Sequence, residues 1–137
     1  MNTNLNIDYL ILISKFIVPF LLGSLLFFSA IIAPTIFKTL DAKNSRIIIR
    51  NIFPKLYTWS IIICSLLFFS TLFFSFNLAI LSFIILLFYI FGRQFLMPKI
   101  NFLSDNNENK KFAFYHSVSV TIFIIQILAL FFISLRL

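Results

Sequence analysis

Few side chains in this 137-residue chain are of a kind that does chemistry, and that scarcity directs the reading. There is one His (His116), one Cys (Cys64) and four acidic residues (Asp8, Asp41, Asp105, Glu108). A closed tetrahedral metal site needs four ligands, and this inventory cannot supply them from one chain. Haem could take His116 as a single axial ligand, but there is no second His and no C-x-x-C-H attachment run. No Ser-His-carboxylate set, Gly-rich phosphate loop or activated Cys is present, so catalysis is not expected. Asp105 and Glu108 lack the Gly and ordered spacing of a calcium loop and read as ordinary loop residues.

The residues left with chemical capacity are Arg93, His116, Ser119 and Gln126. Arg93 stands about one turn before Pro98. It reads either as a topology residue that snorkels to the interface or as an inward group that binds something anionic. His116, Ser119 and Gln126 fall within about 80° of arc on a helix. That polar stripe suits hydrogen bonding between helices, at roughly 0.6–2 kcal/mol per contact. It also suits a proton carrier, or a metal or haem ligand, at His116.

The elements that position these residues are set by where charge is missing. The chain is 61% hydrophobic and carries only 11 basic and four acidic residues. That excludes a soluble globular fold, which needs polar surface to cover its core. It excludes disorder as well. Residues 16–37, 56–92 and 112–135 contain no charge. A spanning helix needs about 20 apolar residues, so the first and third runs fit one span each. The 37-residue middle run must fold back, and Ser75-Phe76-Asn77 is the expected hinge. Four spans follow, at about 9–33, 57–75, 78–97 and 113–135. The apolar runs do not alternate as strands of a membrane barrel would. Met1 to Asp8 hold no Lys or Arg and no A-x-A site follows, so the first run is expected to be a span and not a cleaved leader.

Nine of the 11 basic residues lie in the two polar connections, and only Lys15 and Arg136 lie at the other side. The excess of Lys and Arg predicts cytoplasmic connections and both termini outside, in an inner membrane. The net charge of +7 is then a topology signal, and no nucleic-acid partner is expected. Tyr57 and Trp59 fit the inner headgroup belt, and Lys15 would snorkel outward. Asp41 can cap a short amphipathic helix in the first connection. Lys43, Arg46 and Arg50 lie on one side of it, toward anionic headgroups, with Ile48 and Ile52 opposite. Pro54 is expected to end this helix. Residues 104–111 read as a solvated linker. Ala113/Ser117/Thr121, Ser29/Ala33 and Ser60/Cys64 are spaced as small residues for close helix contact. Pro19 and Gly23 are expected to bend or pack the first helix, and Pro34 to end its regular part.

Taken in order, Gly23, Ala33-Pro34 with Phe37 and Leu40, Phe53-Pro54-x-x-Tyr57, Arg93, and Phe112-x-x-x-His116-x-x-Ser119 form a pattern. This chain resembles the transmembrane-protein-205-like family, a small bacterial membrane domain of unknown function, over nearly its whole length. The resemblance implies a four-helix membrane bundle with no agreed activity. It carries the family pattern onto Pro34, Phe53, Pro54, Arg93, His116 and Ser119. The chain departs from it at the fourth helix, where Val120 or Thr121 stands in place of an expected Asn. A looser likeness joins small four-helix membrane proteins of copper uptake or haem synthesis, whose extra His and Met residues are lacking.

The resulting expectation is an all-α, four-span, non-enzymatic bundle. Its partners are the lipid bilayer and a second copy or another membrane protein. Its polar site near the cytoplasmic face would take a small anion or lipid headgroup. A haem or metal redox protein and a small-solute exporter are the alternatives.

Overall fold

The computed structural model describes residues 3–137, with side chains from Asn6 onward. Every element is helical: α1 (Thr3–Phe27), α2 (Ala33–Thr39), α3 (Ala42–Thr71), α4 (Phe76–Phe91), α5 (Met97–Asp105) and α6 (Asn109–Arg136). Wide π-type turns at Phe28–Ile32 and Gly92–Leu96 join α1 to α2 and α4 to α5. The six helices therefore make four rods, each long and apolar enough to cross a membrane. This is a multi-pass membrane protein, as the charge gaps imply. A helix satisfies every backbone group within its own segment, as hydrocarbon, which offers no partner, demands.

Except where α3 stops short of residue 75, the rods run past the expected spans, and local chemistry sets their ends. Asp41 caps α3, its carboxylate accepting the backbone N–H of Asn44 at 3.4 Å. Pro54 does not stop the helix, and the expected interfacial helix is simply the first part of α3. The ring removes one hydrogen bond, to the Arg50 carbonyl, while the ladders on either side persist. The regular part of the first helix does end before Pro34, at Phe27, but the rod runs on past it as α2. The π-type turn before it carries the Ala33 N–H back to the Phe28 carbonyl, five residues away. That width accommodates a ring which an α-turn would press against the carbonyl four residues earlier. The same device precedes Pro98, with the Met97 N–H on the Gly92 carbonyl. The hairpin comes earlier than Ser75–Asn77: α3 ends at Thr71, and Ser75 precedes α4, its N–H on the Thr71 carbonyl at 2.8 Å. The second connection shrinks to residues 106–108 between helices. Asn107 adopts a φ of 57° there, a left-handed turn that Asn tolerates.

Neighbouring rods are antiparallel and form a ring in the order α1, α3, α4, α6, with the α3–α4 seam the most extensive. Val18, Leu21, Leu25, Cys64, Leu67, Ile85, Tyr89, Leu130 and Ile133 fill its centre. Phe16, Phe73 and Phe76 point outward. At the hairpin end, Ser14 and Ser70 hydroxyls meet at 2.8 Å, and Ser70 also donates to the Leu10 carbonyl. Ser60 and Cys64 lie buried in the core. Ala113, Ser117 and Thr121 do not face the bundle; α6 turns Gln126, Leu130 and Ile133 inward instead, which leaves the small residues outside. Nor does Gly23 pack against anything: a Cβ there would meet no atom within 4 Å.

Candidate functional site

The basic end of the bundle holds two polar features, one inside the ring and one outside it. The inner one begins at Gly92, where the π-type turn of the third rod crosses α3. A Cβ at Gly92 would lie 2.6 Å from Tyr57 Cε1, so only a glycine lets this ring close against the backbone. Tyr57 is buried there, edge-on to Tyr89 at 5.9 Å between centroids. Its ring turns into the bundle and fills the space that Gly92 leaves. The Ser119 side chain approaches the Tyr57 hydroxyl from α6. Tyr89 is 1% exposed and its hydroxyl finds no partner. Ser60 lies beside it, but the Ser60 hydroxyl is donated to the Leu56 carbonyl at 2.9 Å. Gln126, 2% exposed, reaches the Ile85 carbonyl at 3.5 Å. These groups knit helices together and hold no formal charge.

The outer feature is an open groove of about 320 Å³ lined by Pro54, Lys55, Thr58, Trp59, Ile62 and Arg93. Five of these lie on one face of α3, and Arg93 is carried to them by the π-type turn. The Thr58 hydroxyl is donated back to the Pro54 carbonyl at 2.7 Å. Trp59 is 41% exposed and touches Phe20 edge-on at 5.9 Å. The Nε of Arg93 is sealed and has no acceptor. Among the described residues, neither Lys55 nor Arg93 takes part in an ion pair.

The acidic side chains near this end are engaged elsewhere. Asp105 accepts both terminal nitrogens of Arg50, at 2.7 and 3.1 Å, and Arg50 also donates to the Asn101 carbonyl at 3.3 Å. The guanidinium holds the Asp105 carboxyl below its ordinary range. Glu108 pairs with Lys111 at 2.5 Å, which raises the Lys111 ammonium above its usual value. Arg50 thus leaves the expected lipid-facing stripe for a protein partner, while Lys43 and Arg46 remain exposed. Asp105 is no ordinary loop residue, because α5 carries it to the second rod.

The four candidate site residues do not converge. Ser119 faces Tyr57, Gln126 lies deeper against Ile85, and Arg93 joins α3. His116 is exposed, its ring stacked flat on Phe112 at 5.7 Å. It lies about 60° round the helix from Ser119, enough to turn it off the bundle face. Among the described residues, no three His, Cys, Asp or Glu side chains lie together. Of the other pattern residues, Phe53 packs edge-on to Phe28 at 5.3 Å, while Pro34 follows the first π-type turn and Pro54 borders the groove. Lys55 was legible only as a topology charge. The signal that places it in the groove is the spacing of Lys55, Thr58, Trp59 and Ile62 on one helical face.

Residues 16–109 match a family model described as Domain of unknown function (DUF4149). The matched stretch takes in Pro34, Phe53, Pro54, the groove and Arg93, and ends before His116 and Ser119. No curated protein and no solved structure matches the chain.

Proposed function

The chain belongs to the family described as Domain of unknown function (DUF4149), and from that premise we propose a non-enzymatic protein of the cytoplasmic membrane that holds an anionic group in the Lys55–Arg93 groove. The carrying observation is the groove itself, which two cations without an acidic partner among the described residues line from two rods. A guanidinium offers phosphate or carboxylate two parallel hydrogen bonds, and an adjacent ammonium adds a point charge. The basic end faces the cytoplasm and both termini lie outside, on the strength of the Lys and Arg excess. The order of Pro34, Phe53-Pro54, Arg93, His116 and Ser119 supports a narrower kinship with transmembrane-protein-205-like proteins. His116 has no part in the anion site, since it lies exposed on α6.

Glycerol phosphate carries the chemistry shared by soluble phosphoesters and lipid headgroups. Added to the purified protein in mild non-ionic detergent, it is expected to raise the unfolding midpoint, as any ligand of the folded state does. The rise should vanish in Arg93→Gln and shrink in Lys55→Gln. An equal rise from chloride at matched ionic strength, or a rise unchanged in both variants, would overturn the anion site.

A further inference from the structure

We propose that the anion taken by this groove is the phosphate of an anionic phospholipid, held at its rim by Arg93 and Lys55, with an acyl chain along Trp59 and Ile62. The inference rests on the anion-site reading and names its ligand.

Three features favour a lipid over a free anion. The first is the direction of polarity. Lys55, Thr58, Trp59 and Ile62 follow one another down one face of α3, over about 10 Å of helix rise. Charge sits at one end of that strip and apolar surface at the other. A free phosphate would use only the rim, whereas an amphiphile matches the whole gradient. The second is the side on which the groove opens. Ile62 is half exposed and Phe91, on the adjoining rod, is exposed too, so the groove opens where lipid lies and not into the ring. The third is charge. Asp105 is engaged by Arg50 and Glu108 by Lys111, which leaves Lys55 and Arg93 with no acidic partner among the described residues. Cations at this depth are satisfied by headgroup phosphate, and a Trp beside them suits the interface.

Trp59 is the chain's single Trp and lines the groove, so its fluorescence reports occupancy directly. The full chain is reconstituted in phosphatidylcholine vesicles. Increasing fractions of its lipid are then replaced by chain-brominated phosphatidylglycerol or, in a parallel series, chain-brominated phosphatidylcholine. Bromine quenches the indole only in contact, so the ratio of the two curves gives the relative affinity. Anionic lipid is expected to win by roughly fivefold for each cation engaged, and so by about 25-fold with both. The ratio should fall toward unity in Arg93→Gln. Lys55→Gln removes an exposed charge without touching the core and serves if the Arg93 variant does not fold. Ile62→Ala should weaken quenching by brominated phosphatidylglycerol while sparing the response to glycerol phosphate.

Equal quenching by both lipids, with the emission still responding to glycerol phosphate, would sink the lipid inference and leave the anion site standing. Equal quenching with no such response would remove both. A preference for anionic lipid that survives in the folded charge variants would place the lipid elsewhere and overturn the inference.

Discussion

A single hydrogen separates Gly92 from a clash, and this gives two glycines opposite fates. At Gly92 an added methyl would press on the buried Tyr57 ring at 2.6 Å. Gly92→Ala is expected to lower stability by about 1–3 kcal/mol, the usual result of overfilling a packed site. Gly23 faces open space, so Gly23→Ala should raise stability by roughly 0.5–1 kcal/mol through helix propensity. Unfolding of the two variants in the same detergent checks the sign reversal. His116, exposed and stacked on Phe112, should be replaceable by Ala within about 0.5 kcal/mol, with the lipid preference at Trp59 unchanged. These residue roles were only partly legible in the sequence. Helical period fixes which residues share a face, but not which face meets the bundle. In a soluble helix the apolar side supplies that phase. Here lipid is as apolar as the core, so α6 carries no such mark. Ser119 and Gln126 of the polar arc do turn toward neighbouring helices, while His116 and the small-residue face of Ala113, Ser117 and Thr121 turn outward. Gly92 was invisible for another reason: its constraint comes from Tyr57, on a different rod.

At the level of elements, the bidentate Arg50–Asp105 pair ties the extension of α3 to α5. Arg50 keeps the Asp105 pKa below its unfolded value of about 3.9, so the pair's contribution is complete above that value. It is lost as pH falls through the depressed folded-state value. Amide exchange over Met97–Asp105 should therefore be protected at neutral pH and lose protection in acid. Asp105→Asn should exchange faster at neutral pH and show little further acid effect. Equal protection in the variant and the parent chain would show that the pair restrains nothing. The four rods themselves were legible, because charges are barred from hydrocarbon and the gaps between them count the crossings. Their ends were not. Beyond the hydrocarbon that exclusion lapses, and helix continues until a cap such as Asp41 or a left-handed residue such as Asn107 stops it. Proline misled at Pro54, where an intact ladder on either side absorbs the missing bond, while at Pro34 a wide turn does interrupt the regular helix and the rod still continues.

For the whole molecule, the ring of antiparallel rods places the residue 106–108 connection at one end and the residue 72–75 hairpin at the other. Cys64 is fully buried and should stay silent to maleimide, so single cysteines can be read against it. In intact cells, Asn107→Cys is expected to resist an impermeant maleimide and Phe73→Cys to react. The reverse pattern would invert the orientation and move the lipid groove to the outer leaflet. The two π-type turns carry one further consequence, for the length of the gene. Each contains one residue more than a regular helix would use. Loss of one codon within Phe28–Ile32, or after Gly92 within the second turn, can be absorbed by reversion to ordinary α-helix with both flanks in register, at the cost of one proline ring set against the carbonyl four residues earlier, as α3 already bears at Pro54. The same loss in the middle of α3 would rotate everything after it by about 100° and carry the core residues out toward lipid. Single-residue deletions that preserve the fold should therefore cluster at those two turns, ahead of Pro34 and Pro98.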